Sequence, residues 1–418
     1  MNHPLMSCPD FRTYFLGRVI SAVGDKFYTI ALAWWVLSQG GDSGILLGIL
    51  MASSILPVVL FGPLAGTLAD RMNRKTCMLI ADGARFFVIS VLFTLCLFNR
   101  LSLPLLYPLV FCAAMFSPLF EAAANSSIEK LAGTEKLAQA TVLNSSVLQL
   151  SNIIGATLGG IFLAIAQIKG ALLINALTFA LSFLFVQNIK TNLGQTEQSK
   201  KDSYFSQLRE GFVYIVKDNR SIGYVLLLYA ISNFFASSIL FFIPFTVKFF
   251  YQQSVTWVAI LEGSLAGGFV IVSFILSFIP QGGNVYWRSF IGGWFVAGAF
   301  ALFTIGEPVL AACGLFFMGV AISWSGSAMQ VFFQNTVTNE MKGRFFALMS
   351  TLIYVGFPLT FIFNGFLLNM FSLQQLLIFN GIAVLIVNFG FLVIPKYELS
   401  REVFESVLAA KNQAKQDG

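Results

Sequence analysis

Runs of about twenty or more apolar residues recur along the whole chain, separated by polar residues, glycine or proline. A helix needs about 20 mostly apolar residues to cross the hydrocarbon core of a bilayer. Twelve such runs can be placed, at 14–38, 44–69, 77–98, 102–126, 139–166, 168–188, 221–248, 255–279, 286–305, 308–333, 344–369 and 373–395. The sequence therefore predicts an all-α polytopic membrane protein with twelve transmembrane helices.

The composition excludes several classes of protein. Only 11% of the 418 residues are charged and 57% are hydrophobic, against about 25% charged in an average soluble domain. An ordinary soluble enzyme, a disordered chain and a disulfide-stapled secreted domain are therefore excluded. His3 is the single histidine, and the five cysteines form no C-x-x-C pair. We expect no metal site, no bound cofactor and no enzyme activity.

The basic residues predict how the chain is oriented in the membrane. Arg100, Lys169 and Lys248 are the only ones in the loops that follow odd-numbered spans. Because cytoplasmic loops carry the excess of Lys and Arg, both termini and the central linker are expected in the cytoplasm. The net charge of +6 is explained by this topology, so the expected partners are the lipid bilayer and a small molecule, without nucleic acid, for a monomeric chain.

The long polar stretch in the middle of the chain divides it into two sets of six spans. Its segment 206–216 reads as a short amphipathic helix. The predicted organisation is an N-terminal six-helix bundle at 1–189, a cytoplasmic linker at 190–220, a C-terminal six-helix bundle at 221–395 and a cytoplasmic tail at 396–418.

The most specific motif is Gly66-Thr-Leu-Ala-Asp70-Arg71-Met-Asn-Arg74-Lys75, at the end of the second span. It resembles the loop signature G-x-L-a-D-R-x-G-R-K of the major facilitator superfamily, with asparagine in place of the second glycine. The resemblance implies that Asp70 docks at the start of the eleventh span, where the helix dipole favours a carboxylate. The implied conformational latch consists of Gly66, Asp70, Arg71, Arg74 and Arg344. A simple positive-inside anchor loop is the alternative.

Further segments are similar to the macrolide-efflux and enterobactin-exporter branch of that superfamily, which is of the drug:proton antiporter type. They are Ser21-Ala-Val-Gly24-Asp25, Ala31-Leu-Ala-Trp-Trp-Val, Gly62-Pro-Leu-Ala-Gly66, Leu208-Arg-Glu-Gly211-Phe-Val-Tyr and Gly343-Arg-Phe-Phe-Ala-Leu348. The resemblance implies a secondary active exporter in the bacterial inner membrane. Its cargo would be a small amphipathic organic molecule, drug-like, macrolide-like or a siderophore, and the proton gradient would drive alternating access. An importer or a lysophospholipid flippase of the same fold remains open.

A cluster of small residues in the fifth span resembles the antiporter motif that ends G-P-x-x-G-G. It reads Gly155-Ala-Thr-Leu-Gly159-Gly160, with alanine in place of the proline. Small residues spaced in this way also let two membrane helices pack closely. Both interpretations, an antiporter motif and a helix-packing surface, predict close helix contacts here.

Charged residues inside spans are costly, so they indicate function or pairing. Arg18, Ser21, Asp25 and Tyr28 share one face of the first span. Asp25 is the first candidate for proton coupling, and a structural pair with Arg18 or Lys26 is the alternative.

Two further carboxylates, Glu121 and Glu262, are additional coupling candidates. Asp82 and Arg85, three residues apart, are expected to form a structural pair within one helix. The predicted substrate cavity is lined by Arg18, Ser21, Tyr28, Asn125, Tyr229, Asn233, Trp324, Gln330 and Gln334.

Overall fold

The computed structural model describes residues 3–40, 43–194, 204–218, 220–279 and 284–393. For residues 138, 148–150, 152–154, 156–166, 204–205 and 217–218 it describes the backbone alone. Most of the described chain is helical, which confirms the predicted fold class. The predicted tail, 396–418, lies outside the described residues, as does 195–203 of the predicted linker.

The long helices follow one another with short connections. They are α1 (Pro9–Leu37), α2 (Ser43–Arg71), α3 (Arg74–Leu97), α4 (Leu103–Ala132), α5 (137–166), α6 (Gln167–Gln187), α7 (Arg220–Phe249), α8 (Thr256–Leu276), α9 (Val285–Phe303), α10 (Pro308–Thr336), α11 (Lys342–Leu367) and α12 (Leu373–Val393). A kink at Gln167, where φ is 53°, separates α5 from α6. The linker helix (Tyr204–Val213) precedes α7 and begins two residues before the predicted one.

Nine helices among the described residues are long and apolar enough to cross a membrane. They are α2, α3, α4, α6, α7, α8, α10, α11 and α12. The other three, α1, α5 and α9, have comparable lengths and lie among them. The predicted count of twelve spans therefore stays a prediction, whereas the multi-pass helical architecture is confirmed.

Local sequence signals set the ends of several helices. The side chain of Asn73 accepts a hydrogen bond from the backbone N–H of Lys75 and so caps the start of α3. This explains how asparagine serves at the position where the family loop has glycine, because asparagine is a preferred N-cap. Asn284 caps α9 in the same way. Gly133, with φ at +81°, ends α4 in a conformation that glycine adopts without strain.

The beginning of α1 is fastened to the segment that follows α6. The Asp10 carboxylate accepts hydrogen bonds from the backbone N–H groups of Lys190 and Thr191 and from the Thr191 hydroxyl. Partial burial acts to raise the pKa of Asp10, but these hydrogen bonds outweigh it and hold the pKa below its usual value. The contact closes the first half of the chain, residues 3–194, into one unit.

The two ends of the helical bundle are named the linker side and the distal side. The linker side carries the start of α1 and the linker helix, and the distal side carries the turn between α1 and α2. On the distal side, one buried hydrophobic cluster includes residues of both halves, among them Leu32, Leu47, Phe242 and Phe361. Both halves of the chain are therefore joined there by a continuous apolar core.

On the linker side, the buried hydrophobic residues form two clusters. One contains Phe11, Met78 and Phe120 and draws only on the first half. The other contains Val225 and Phe345 and draws only on the second half, residues 204–393. The two halves therefore pack together at the distal end and form separate cores at the linker end.

Glycines bring α2 and α11 together on the distal side. A Cβ atom at Gly48 would lie 2.6 Å from the carbonyl oxygen of Phe361, and one at Gly365 would lie 2.7 Å from the carbonyl oxygen of Gly44. These approaches are to backbone, which cannot move aside without shifting a helix. Nearer the linker side, a Cβ atom at Gly62 or Gly66 would meet open space.

We expect Gly48→Ala to separate α2 from α11 and open the distal side. Overpacking typically costs about 1–3 kcal/mol, and each 1.4 kcal/mol changes a two-state equilibrium about tenfold. The measurement is maleimide labelling of Ala33→Cys, a buried distal position, on a background without the five native cysteines.

Gly62→Ala is the matched control, because it makes the same exchange on the same helix in open space. Labelling should rise with Gly48→Ala and stay at the parental rate with Gly62→Ala. Equal rates in both variants would contradict the distal contact.

Candidate functional site

The first charge on α1, Arg18, pairs with a carboxylate on α4. Its guanidinium lies 2.8 Å from Glu121, and it also donates to the Tyr14 hydroxyl at 2.8 Å. That hydroxyl donates to Asn144 on α5, whose amide donates to Asn125 on α4. The Arg18 side chain is 6% exposed and that of Glu121 is 41% exposed. The chain of hydrogen bonds therefore runs from a partly exposed carboxylate on α4, through a buried cation on α1, to amides on α5 and α4.

The second charge, Asp25, pairs with a cation on α3. The Arg85 guanidinium lies 2.6 Å from the Asp25 carboxylate and 4.1 Å from the centre of the Phe179 ring. Asn175 on α6 donates to the other carboxylate oxygen at 3.4 Å. Gly24 permits this packing, since a Cβ atom there would lie 2.2 Å from the Thr178 hydroxyl oxygen. Asp25 thus has partners on both α3 and α6.

This geometry corrects both structural pairs that the sequence suggested for Asp25. Arg18 and Lys26 are each bound to a different carboxylate, so neither is the partner of Asp25. The expected pair of Asp82 with Arg85 within α3 is also wrong. Arg85 extends to Asp25, and Asp82 accepts a hydrogen bond from Ser182 on α6 at 2.6 Å. Contacts between helices determine these partners, and spacing along one helix does not.

The third charge, Lys26, pairs across the two halves. Its ammonium lies 2.5 Å from the Glu262 carboxylate on α8, with side-chain exposures of 21% and 15%. Gly155 on α5 makes room for Lys26, because a Cβ atom at position 155 would lie 2.6 Å from that of Lys26. The predicted small-residue contact is therefore present at Gly155. Gly159 and Gly160 lie in 156–166, whose side chains are outside the described residues.

The remaining residues of the predicted polar face on α1 are inside the protein. The Ser21 hydroxyl donates to the backbone carbonyl of Arg18. The Tyr28 hydroxyl is buried and has no hydrogen-bond partner among the described residues. Both residues therefore lie near the charge pairs of α1.

The predicted cavity residues of the second half lie in three different places. Tyr229 and Asn233 line a recess between α7, α9, α10 and α12, together with Ser232, Ser289, Ser325 and Asn388. The ring of Trp324 lies 4.9 Å below the Arg288 guanidinium, which also donates to its carbonyl. Gln330 and Gln334 are exposed, as is Asn125 in the first half. The recess is thus lined from four helices and combines apolar and aromatic surface with several polar groups.

The residues of the predicted latch lie at the linker side. Asp70 and Arg71 are exposed at the end of α2. Arg74 donates to the backbone carbonyl of Ser126 at 2.6 Å, which ties α3 to α4. Arg344, at the start of α11, lies 2.8 Å from Glu210 on the linker helix. In this conformation Arg344 is therefore tied to the linker helix.

Sequence reasoning missed several members of the charge network. Tyr14, Asn144, Asn175 and Ser182 are uncharged and occur in apolar runs, where a single hydroxyl or amide is common. What distinguishes these residues is a contact with a charged or polar group on another helix, and such contacts depend on helix packing, which the sequence alone does not show. Arg85 was identified, but with the wrong partner.

The profile of the Major Facilitator Superfamily matches residues 14–356. Two relatives are the uncharacterized MFS-type transporter YfiS of Bacillus subtilis, 31% identical over 208 residues, and macrolide efflux protein A of Streptococcus pyogenes, 20% identical over 390 residues. The first match covers 49% of this chain and 48% of YfiS, and the second covers 90% and 93%.

Among solved structures, a bacterial homologue of the iron transporter ferroportin in an inward-facing state has a TM-score of 0.73. It is 15% identical, and the match covers 92% of this chain and 98% of that one. At this identity the likeness concerns the fold alone. The chain belongs to the Major Facilitator Superfamily and is a multi-pass membrane transporter. The family indicated by the sequence motifs is confirmed.

The pair between Lys26 and Glu262 should help to hold the distal side closed. Removing one partner leaves the other charge uncompensated, which typically costs about 3–5 kcal/mol in a fully buried pair and less in this partly buried one. Lys26→Glu alone and Glu262→Lys alone should therefore raise maleimide labelling of Ala33→Cys. The double reversal, Lys26→Glu with Glu262→Lys, should return labelling toward the parental rate. Additive increases in the double variant would show that the two charges do not act on each other.

Proposed function

We propose that this transporter exports a small amphipathic organic molecule from the cell by alternating access, coupled to proton antiport. The proposal is carried by one observation, that α1 pairs Arg18 and Asp25 with Glu121 and Arg85 of its own half, while Lys26 binds Glu262 of the other half. Proton-binding groups and the contact between the two halves thus lie on one helix. A proton can therefore influence which side is open.

The proposed orientation follows from the basic residues. With the linker side in the cytoplasm of a bacterial inner membrane, the separate linker-side clusters correspond to an inward-open conformation. The shared distal cluster corresponds to a closed outer side. Substrate would enter from the cytoplasm in this state, as export requires. The likeness to macrolide efflux protein A supports the same direction.

The proposed substrate chemistry follows from the recess of the second half. Tyr229 and Phe391 offer ring surface there, and Asn233, Ser289 and Asn388 offer hydrogen-bonding groups. Aromatic surface with a few polar groups suits ligands that are largely apolar and carry several oxygens or nitrogens. A macrolide or another amphipathic compound has this character. Arg18, Ser21, Tyr28, Asn125, Trp324, Gln330 and Gln334 are proposed to complete the cavity as the halves move.

The proposed coupling groups are Asp25, Glu121 and Glu262. The side chains of Asp25 and Glu121 are 34% and 41% exposed, so water can reach them. Each binds a cation in this conformation, and loss of that cation would favour proton uptake. Glu262 would take up a proton when the two halves separate and Lys26 withdraws.

The latch is proposed to act in the opposite, outward-open conformation. When the linker side closes, Asp70 would approach the start of α11, where unpaired backbone N–H groups attract a carboxylate. Arg344 would then exchange its contact with Glu210 for one with the α2 loop. The open space beside Gly66 and Gly343 is compatible with such an approach.

The proposal predicts proton-coupled macrolide uptake by everted vesicles. Because the cytoplasmic face is then outside, addition of radiolabelled erythromycin should lead to accumulation that an imposed proton gradient increases and a protonophore removes. Asp25→Asn should bind the macrolide but lose most of the gradient-dependent component. Glu307→Gln is the control, since this exposed carboxylate lies at the distal side, away from the charge pairs.

Two results would contradict the proposal. Uptake by right-side-out vesicles alone would indicate an importer. Full gradient dependence in Asp25→Asn would remove Asp25 from coupling. Metabolite profiling of medium from cells with and without the gene would then identify a cargo other than a macrolide.

A further inference from the structure

Of the four carboxylates that the described residues place inside the predicted spans, three are paired with a cation and one is not. Arg18, Lys26 and Arg85 are bound to Glu121, Glu262 and Asp25 at 2.5–2.8 Å. Asp82, on α3, is the fourth carboxylate of this region. Among the described residues, no cation lies within ion-pairing distance of it.

Asp82 is also the most enclosed of the four. It is 0% exposed, one carboxylate oxygen accepts a hydrogen bond from the Ser182 hydroxyl at 2.6 Å, and the other is buried without a hydrogen-bond partner among the described residues. An ionised carboxylate in a low-dielectric interior needs a cation or several donors. A single hydroxyl does not meet that need.

The neighbouring charged groups come from two helices. Arg85 lies on α3 itself, and Asp25 faces from α1. From α6 the contact is Ser182, whose hydroxyl does not titrate near neutral pH. Glu121 on α4 is bound to Arg18. Asp82, Asp25 and Arg85 therefore form one group of two carboxylates and one cation.

We propose that Asp82 is a proton-binding site that exchanges its proton with Asp25 through movement of Arg85. This inference rests on the proposed proton coupling and deepens it. In the conformation described, Asp82 holds the proton and Arg85 neutralises Asp25. When Arg85 turns to Asp82, the Asp82 O–H bond breaks, and Asp25, which has lost its cation, gains the proton. Throughout the exchange, the two carboxylates share one proton and the one positive charge of Arg85.

The geometry permits this exchange. Residues three apart on a helix lie on the same face, so the Arg85 guanidinium can reach Asp82 by a change of rotamer. The two carboxylates differ in exposure, because the Asp25 side chain is 34% exposed and Asp82 is fully buried. The relay would therefore move a proton between an enclosed position and one that water reaches.

The test is infrared spectroscopy of the purified full-length protein in lipid nanodiscs, without substrate, at neutral pH. The parent should show the C=O band of a protonated carboxyl, and Asp82→Asn should lose it. Asp25→Asn should also lose it, because the released Arg85 turns to Asp82 and displaces the proton. Asp25→Asn combined with Arg85→Gln should regain it. Glu307→Gln is the control and should keep the band.

A second variant applies if Asp82→Asn does not fold. Ser182→Ala removes the hydroxyl that bonds the carboxyl, so the band should move to higher wavenumber while keeping its intensity. Absence of the band in the parent, or its persistence in Asp82→Asn, would overturn the proposal. So would an unchanged band in Asp25→Asn or in Ser182→Ala.

The infrared band is measured without transport, so it tests the Asp82 site independently of the proposed proton antiport. If vesicle uptake is independent of the proton gradient while the band behaves as described, proton antiport fails and the Asp82 site stands. If uptake is gradient-dependent and the band is absent, the Asp82 site fails and antiport stands.

Discussion

The cost of a charge inside the membrane governs this structure. Helix α1 carries Arg18, Asp25 and Lys26, and each would be strongly unfavourable in a span if it were left alone. Each instead meets an opposite charge on a different helix, α4, α3 or α8. The position of α1 is therefore constrained by three neighbouring helices at once.

Two of the three ion pairs act within one half of the chain, and the third acts between the halves. Two of them lie within the first half of the chain and join α1 to α3 and α4, which makes that half a unit. The pair of Lys26 and Glu262 crosses to the second half, close to the glycine of α5 that lets the helices approach. Together with the distal hydrophobic cluster and the contact of α2 with α11, it holds the halves together at one end. At the other end their cores are separate, as alternating access requires.

Much of this could be predicted from the sequence, and the limits have a physical cause. Long apolar runs determine where helices form, so the predicted spans agree with the observed helices to within a few residues at most ends. The loop beginning at Gly66 and the polar face of α1 were identified, because a charge in an apolar run is rare. The partners were not, since ion pairing depends on which helices touch. Asp82 and Arg85 lie one turn apart and looked like a pair, yet α6 and α1 supply the closer partners.

In the proposed alternating access, the two halves exchange a closed distal side for a closed linker side, and paired distance measurements test this exchange. Spin labels at Gln39 and Gln253 report the distal side, and labels at Thr67 and Glu340 report the linker side, all at exposed positions. In nanodiscs the resting protein should give a short distal and a long linker-side distance. Addition of macrolide, or the Gly48→Ala exchange, should lengthen the first and shorten the second in the same molecules. Distances that change in the same direction, or a linker-side distance that stays fixed while the distal side opens, would contradict the account.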